Sequence, residues 1–303
     1  MKRRKFRFQV TQIRFMKPTK KTLLYIAYII GITVFFLYYL FPSEAIKDYV
    51  AYKLSRGNPA IRVTIDHVNP VLPPGIKLHD VGIAQSNKAL IDLDSVIITP
   101  GLLSFFSSTK TARFKGRIKA GTVQGWAQAD SRSDRRTEKI EGTIAGVQVQ
   151  GIPALKRLTT HKISGNLGGD FMISGTGPNR LMTGKLTLAD CRIDFDQPVI
   201  GQSSLEFRNV DADLVLNKGT LVIKKCSARG NQLDADISGS IALNQDSRQN
   251  ALNLTGSVTP HHGFLAEIEN SIPANFLRQM KTGKTAISFI IGGTVKAPVF
   301  RLN

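Results

Sequence analysis

Several residue types are scarce in this chain. Among 303 residues there are two cysteines and one tryptophan, Trp126, and no tyrosine follows Tyr52. Two cysteines cannot staple a disulfide scaffold. A long stretch with so few aromatic platforms is poorly equipped to stack sugars or single-stranded nucleic acid. Acidic residues are few as well, 22 against 41 Lys and Arg, and none of them lies in the first 21 positions. Motifs of catalysis are missing: there is no H-E-x-x-H and no G-x-S-x-G, and Gly175-Thr-Gly177 lacks the third glycine of a dinucleotide fingerprint. At 42% apolar residues the chain is nevertheless too hydrophobic for disorder.

What is present begins with charge asymmetry. Residues 1–21 carry nine basic side chains, which leaves a net +10 for the remainder out of the total of +19. Thr22 to Phe41 then reads TLLYIAYIIGITVFFLYYLF without a charge or a proline. At about 1.5 Å per residue this run spans roughly 30 Å, the thickness of a bilayer core. Tyr25, Tyr28, Tyr38 and Tyr39 lie toward its two ends, where rings with a polar tip sit among headgroups. Two signs of a cleavable signal compete with an anchor, Arg3-Arg4-Lys5-Phe6 and the small-x-small run Ser43-Glu44-Ala45. A signal core has about 7 to 15 apolar residues, so the longer run predicts an uncleaved transmembrane helix. The basic excess before it predicts a cytoplasmic N-terminus and an exported body. The basic arm is then a topology determinant attracted to anionic lipid rather than a nucleic-acid tail, although Phe6, Phe8 and Phe15 are interleaved with its charges.

The predicted organisation is a basic tail (1–21), a transmembrane helix (22–41), a juxtamembrane helix (42–57) and a β-rich domain (58–303). Ser43 can cap the juxtamembrane helix, Ile46, Tyr49, Val50 and Leu54 share one of its faces, and Gly57 can end it. Beyond Asn58 the apolar period falls to two. Leu233, Ala235, Ile237, Gly239, Ile241 and Leu243 alternate with Asp234, Asp236, Ser238, Ser240 and Ala242, a strand about 35 Å long at ~3.3 Å per residue. Similar alternation marks Ile61–Ile65, Ile91–Leu93, Lys185–Ala189, Leu252–Val258 and Ile287–Val295, separated by connectors such as Gly175–Asn179, Asn217-Lys-Gly219 and Asn244-Gln-Asp246. The prediction is an antiparallel meander in which only Pro100–Phe106, Ile152–Leu158 and Pro273–Lys281 suit helices. A second sheet, closure into a barrel, or a curved open sheet holding lipid or a partner could each hide the apolar side, and periodicity does not choose among them.

The order of parts carries a resemblance. The basic tail and anchor, the run FPSEAIKDYVAYKL, the block IRVTIDHVNPVLPPGIKLHDVGI with Val68-Asn-Pro70 and Pro73-Pro-Gly75, and the closing GGTVKAPVFRLN are similar to the type II secretion system protein N (GspN) family. The β-body also resembles AsmA-like envelope proteins. The likeness covers nearly the whole chain but rests on architecture, with no catalytic signature. It implies a mainly β protein of the bacterial inner membrane: a transmembrane helix, then a long antiparallel, curved, groove-like sheet in the periplasm, acting as an accessory of type II secretion through contacts with envelope or secretion proteins. The AsmA-like likeness implies the alternative, a lipid-binding or lipid-transfer module, possible phospholipid partner included.

Residue chemistry otherwise reads as structural. The pairs Asp92/Asp94, Asp194/Asp196, Asp211/Asp213 and Asp234/Asp236 place carboxylates two apart on one strand face, a spacing that could hold Ca²⁺; apolar residues alternate with each, as on the solvent side of an amphipathic strand. Lys281-Thr-Gly-Lys-Thr285 ends like a P-loop, but Arg278 stands where its first glycine belongs. His67, His79, His161, His261 and His262 show no zinc spacing. Arg132, Arg135 and Arg136 read as a solvated hairpin tip, and pairing of Cys191 with Cys226 is left open. No enzyme activity, metal, cofactor or nucleic-acid partner is expected. The candidate lipid face is the apolar side of the long strands, with Ile237, Ile241, Ile287, Phe289 and Ile291 as its markers.

Overall fold

The structure is a computed structural model that describes residues 19–56, 61–72, 74–85, 88–130, 138–158, 161–176, 180–199, 202–244, 249–264 and 286–302. The expected Gly57 stop, the arginines at 132, 135 and 136, the helix over 273–281 and the P-loop-like run 281–285 lie outside the described residues. The chain divides into two units, Met1–Pro42 and Ser43–Asn303.

In the first unit, helix α1 (Lys20–Tyr39) begins two residues before the expected span and ends two before its expected limit. Its apolar side chains are exposed around the helix, from Leu23 and Leu24 to Phe35 and Phe36. Over the described residues no helix is long and apolar enough to cross a membrane. The structure thus shows a helix at the expected place without supporting the expected membrane span.

In the second unit, α2 (Ser43–Arg56) forms where the juxtamembrane helix is expected. It packs on β1 (Ile61–Thr64) and β2 (His67–Val71). The remaining strands run in a meander: β3 (Gly75–Gln85), β4 (Lys88–Pro100), β5 (Thr109–Ile118), β6 (Gly121–Asp130), β7 (Glu138–Gln148), β8 (Lys162–Ser174), β9 (Leu181–Val199) and β10 (Gln202–Asn217). They continue as β11 (Thr220–Gly230), β12 (Leu233–Ala242), β13 (Ala251–Pro260), β14 (Ile287–Gly293) and β15 (Pro298–Leu302). All belong to one antiparallel sheet in which β3 through β15 each pair with the next strand in sequence, while β1 and β2 share the outer edge of β3. Tight turns make this possible: at β10–β11, Lys218 and Gly219 both adopt positive φ (46° and 77°), the pair of left-handed residues that a two-residue hairpin needs.

Among the described residues, every substantial strand-to-strand packing is between ladder neighbours. All the described strands belong to one sheet and, among the described residues, β1 does not pair with β15, so the arrangement is neither a barrel nor a two-sheet sandwich. The sheet is open. Short helices cover little of it. The segment expected as a helix at Pro100–Phe106 is a 3-10 turn over Leu102–Phe106, and α3 (Pro153–Leu158) touches β4 and β8. The hairpin β5–β6 stops at Ile118 and Gly121, so β4 below Ser95 has no β5 partner, and α3 fills that notch.

The best-buried side chains cluster near the α2 edge and this notch. Val68 lies on β2, where α2 packs, and pairs with Leu78 of β3, with Val81 further along the same strand; Val149 lies in the 3-10 turn beside α3, and Ile118 and Val147 both flank Gly121. Two aspartates help to build this core. Asp80 and Asp190 have left-handed φ of 49° and 50° inside strands, a conformation that aspartate tolerates better than bulky residues. Each shifts the alternation by one, so Leu78 and Val81, and likewise Leu188 and Cys191, turn to the same side though three residues apart.

Candidate apolar sheet face

Register converts the alternation of single strands into rows across the sheet. From β3 to β15 one row reads Leu78, Val96, Gly116, Val123, Ile144, Gly169, Leu186, Ala212, Cys226, Ile237, Gly256, Phe289 and Leu302. No polar side chain interrupts it. The next row on the same face runs Ile98, Phe114, Gly125, Gly142, Phe171, Gly184, Leu214, Ile223, Gly239, Leu254, Ile291 and Phe300. On its far side lie Ala127, Ile140, Ile173, Met182, Leu216, Leu221, Ile241 and Leu252. Most of these residues are half-buried, and away from α2 and α3 no described helix packs on them.

Glycine and phenylalanine share this face in a repeated arrangement that sequence reasoning missed. Phe114 Cζ lies 2.8 Å from where a β-carbon on Gly125 would stand, Phe171 Cζ 2.6 Å from that of Gly142, and Phe289 Cζ 2.5 Å from that of Gly256. Each ring covers backbone that its cross-strand glycine leaves bare, which keeps the surface apolar where the strand has no side chain. The signal was present in sequence as Phe and Gly on neighbouring strands, but only register joins them.

The five marker residues fall on this one face. Ile237 and Phe289 are in the same row on either side of Gly256, Ile291 pairs with Leu254, Ile287 with Val258 and Ile241 with Leu252. All five are half-buried.

The opposite face is more polar: Lys115, Gln124, Thr143, Asp170, Lys185 and Asp213 form one row across β5 to β10, while the row beside it mixes Arg113, Glu141 and Thr183 with Trp126, Met172, Val215 and Val222. Hydroxyls and carboxylates pair directly across strands here. Thr143 Oγ1 donates to Asp170 Oδ1 at 2.8 Å, Thr187 Oγ1 to Asp211 Oδ1 at 2.7 Å, and Ser227 Oγ to Asp236 Oδ1 at 2.6 Å. Arg229 Nη2 grips both oxygens of Asp236 at 2.9 and 3.0 Å. That arginine, then the Ser227 hydroxyl, holds the Asp236 carboxyl below the usual range. A cavity of about 1030 Å³ lies against the middle of the sheet; its lining takes Ile97, Thr99, Trp126 and Lys185 from this face and also Phe114 and Phe171 of the apolar row.

Of the paired aspartates, Asp194, Asp211, Asp234 and Asp236 have structural partners. Asp194 meets Arg192 at 2.7 Å and Asp234 lies 3.6 Å from His261, and among the described residues no three metal-ligating groups gather. His67 and His79 stack at 4.2 Å as a cross-strand pair, and His67 Nδ1 is 2.8 Å from Asp66. Burial, then the neighbouring His67, pushes the His79 pKa down. Both cysteines are free thiols on the apolar face. Cys191 pairs with Phe207 and Cys226 with Ala212, which sets them two strands and several residues apart, well outside the roughly 7 Å Cα separation of a disulfide. Burial raises both thiol pKa values.

No family model, curated protein or solved structure matches the chain.

Proposed function

We propose that the protein is a membrane-anchored module of the bacterial envelope whose sheet binds lipid acyl chains on its apolar face. One observation carries this reading: uninterrupted apolar rows run from β3 to β15 on one side of an open sheet. Apolar rows of that extent favour contact with hydrocarbon over water by ~25 cal/mol per Å² covered, and an acyl chain supplies hydrocarbon without asking for hydrogen bonds. A curved, groove-like course of the sheet belongs to the same proposal, as does the AsmA-like likeness.

The anchor is α1. Thr22–Tyr39 is eighteen residues without a charge, about 27 Å at ~1.5 Å per residue. A helix apolar on every side calls for an apolar solvent. The basic excess before it supports a reading with the N-terminus in the cytoplasm, the anchor in the inner membrane and the β-body in the periplasm.

The test uses the full chain in nanodiscs loaded with phospholipid whose acyl chain carries a photoreactive diazirine. Label should reach the β-body of the native protein, and Phe289→Asp should remove it from β12–β14 while leaving the protein folded. A β-body that takes up no label would sink the acyl-binding reading. Protease added to spheroplasts tests topology separately, and protection of the body would overturn the periplasmic placement.

The GspN likeness supports a second reading, an accessory of type II secretion that displays the sheet to other envelope proteins. It is favoured by β15, which pairs with β14 on one side only and exposes Val299 and Phe300. An unpaired edge can accept a strand from another chain. Photocrosslinking from position 299 should then capture a secretion component in cells; crosslinks confined to lipid would count against it.

A further inference from the structure

The connections of a meander alternate between its two ends, and here the two ends differ. The β2–β3 turn and the β4–β5 connection share one end, since Val71 pairs with Gly75 and Ile76 with Ile98, just before Pro100. There the 3-10 turn Leu102–Phe106 exposes Leu102, Leu103 (87%), Phe105 and Phe106 (95%), and Leu72 of the neighbouring turn is exposed beside it. At the other end, the described turns Lys119-Ala120 and Asn231-Gln232 show no exposed large apolar side chain.

The apolar tip has an ordered backbone. Lys110 Nζ donates to the carbonyls of Ser104, Phe105 and Ser107 at 3.1, 3.1 and 3.0 Å. Ser104 Oγ donates to the Gly101 carbonyl at 2.6 Å, and Gly101 N donates to the Thr111 carbonyl at 2.9 Å. Carbonyls satisfied from within are what a segment needs to leave water, because hydrocarbon offers them no donors. The lysine that does this is a cation suited to anionic headgroups.

The chain also enters the body toward this end. Helix α2 lies antiparallel to β1: near its end Ser55 Oγ accepts from Val63 N at 3.3 Å, and the helix also packs on β2, which follows β1 along the same edge of β3. Its first residue, Ser43, is therefore directed toward the β2–β3 turn, and only Leu40, Phe41 and Pro42 separate it from α1.

We infer that Leu72 and the 3-10 turn Leu102–Phe106 form a second membrane contact that dips into the interfacial layer of the bilayer holding α1. The inference rests on the membrane-bound reading of α1, although not on acyl binding by the sheet. Its occupant is lipid: the tip is a set of exposed rings and leucines in which the carbonyls of Gly101, Ser104, Phe105 and Ser107 are already bonded from within, beside a lysine suited to headgroups.

The test is depth-dependent quenching on the full chain. With Cys191 and Cys226 replaced by alanine, Phe106→Cys or Ala120→Cys is labelled with an environment-sensitive fluorophore and reconstituted into phosphatidylethanolamine–phosphatidylglycerol vesicles. Both sites are exposed, so neither change removes packing. The probe at 106 should be quenched several-fold more by nitroxide-labelled lipid than the probe at 120, and should resist aqueous iodide. Quenching at 106 by iodide as strong as at 120 would overturn the inference while leaving the anchor intact. Shielding from both quenchers would overturn it in favour of a protein or a second copy as occupant. Failure of the chain to float with vesicles at all would sink the anchor reading and this inference together.

Discussion

On β9, Lys185 and Leu186 are neighbours in the chain and belong to different materials. Lys185 stands between Asp170 and Asp213 in a row of charges and hydroxyls; Leu186 stands between Gly169 and Ala212 in a row with no polar group. The two faces are made by alternate residues of the same strands, so both share one backbone, one register and one set of ladder hydrogen bonds. The difference teaches where the specificity of each face resides. The polar face is held by discrete pairs such as Thr143–Asp170 and Arg229–Asp236, any of which can be lost singly. The apolar face depends on continuity, because one charge interrupts a row that crosses many strands.

The largest expected break in that comparison is Leu186→Asp set against Lys185→Asp. The first places a carboxylate among half-buried apolar groups and should lower unfolding stability by about 3 kcal/mol, within the range for burying an unpaired polar group. The second sets a third carboxylate directly between Asp170 and Asp213 on the polar face and should cost about 1 kcal/mol, well short of the first. Urea midpoints measure both. Equal effects would show that the faces are not different solvents.

Next is Gly142→Val. A β-carbon there meets Phe171 at 2.6 Å and the Gln124 carbonyl at 2.9 Å, so the change should cost about 1–3 kcal/mol by overpacking. Thr143→Val, one residue along and on the other face, removes a single hydrogen bond to Asp170 and should cost about 0.5–1.5 kcal/mol. The ratio of the two losses in a thermal melt sharpens the comparison.

The smallest effects are those of pH. The folded-state pKa of Asp236 lies below its unfolded value of about 3.8, so the stability it confers is present above that value and falls away as pH drops through the folded one. Both side chains of the Arg229–Asp236 pair are half exposed, so the loss should stay within about 1 kcal/mol. Asp236→Asn should flatten the acid limb of a urea-midpoint profile by that amount. His79 has its pKa lowered from 6.5, so the unfolded chain takes up the proton first and stability declines as pH falls below about 6.5. The groups facing it are His67, Lys77, Asp80 and Asp66, and His79→Gln should remove the decline between neutral pH and pH ~5.

The period-two alternation made the β class, the meander and the apolar face legible in sequence, because one residue per strand face is a local property. Pairing is not local, so the choice of an open sheet over a barrel or a sandwich came only with the ladder. Strand β9 shows where local reading stops. Alternation was read over Lys185–Ala189, whereas the strand runs from Leu181 to Val199, and the phase slips at left-handed Asp190. The five marker residues all fell on one face because β12 and β14 keep their phase throughout. The glycine–phenylalanine pairs and the apolar tip were missed for opposite reasons. The first needs register, and the second depends on what covers Pro100–Phe106, which helix-compatible composition does not tell.

The most direct measurement is the map of photolabel from acyl-diazirine phospholipid along the full chain in nanodiscs, read by peptide mass spectrometry. The account predicts adducts on the apolar-face residues of β9, β12 and β14, among them Leu186, Ile237 and Phe289, with their polar neighbours Lys185, Asp236 and Ser288 unlabelled. Adducts confined to α1, or spread equally over both faces, would contradict it.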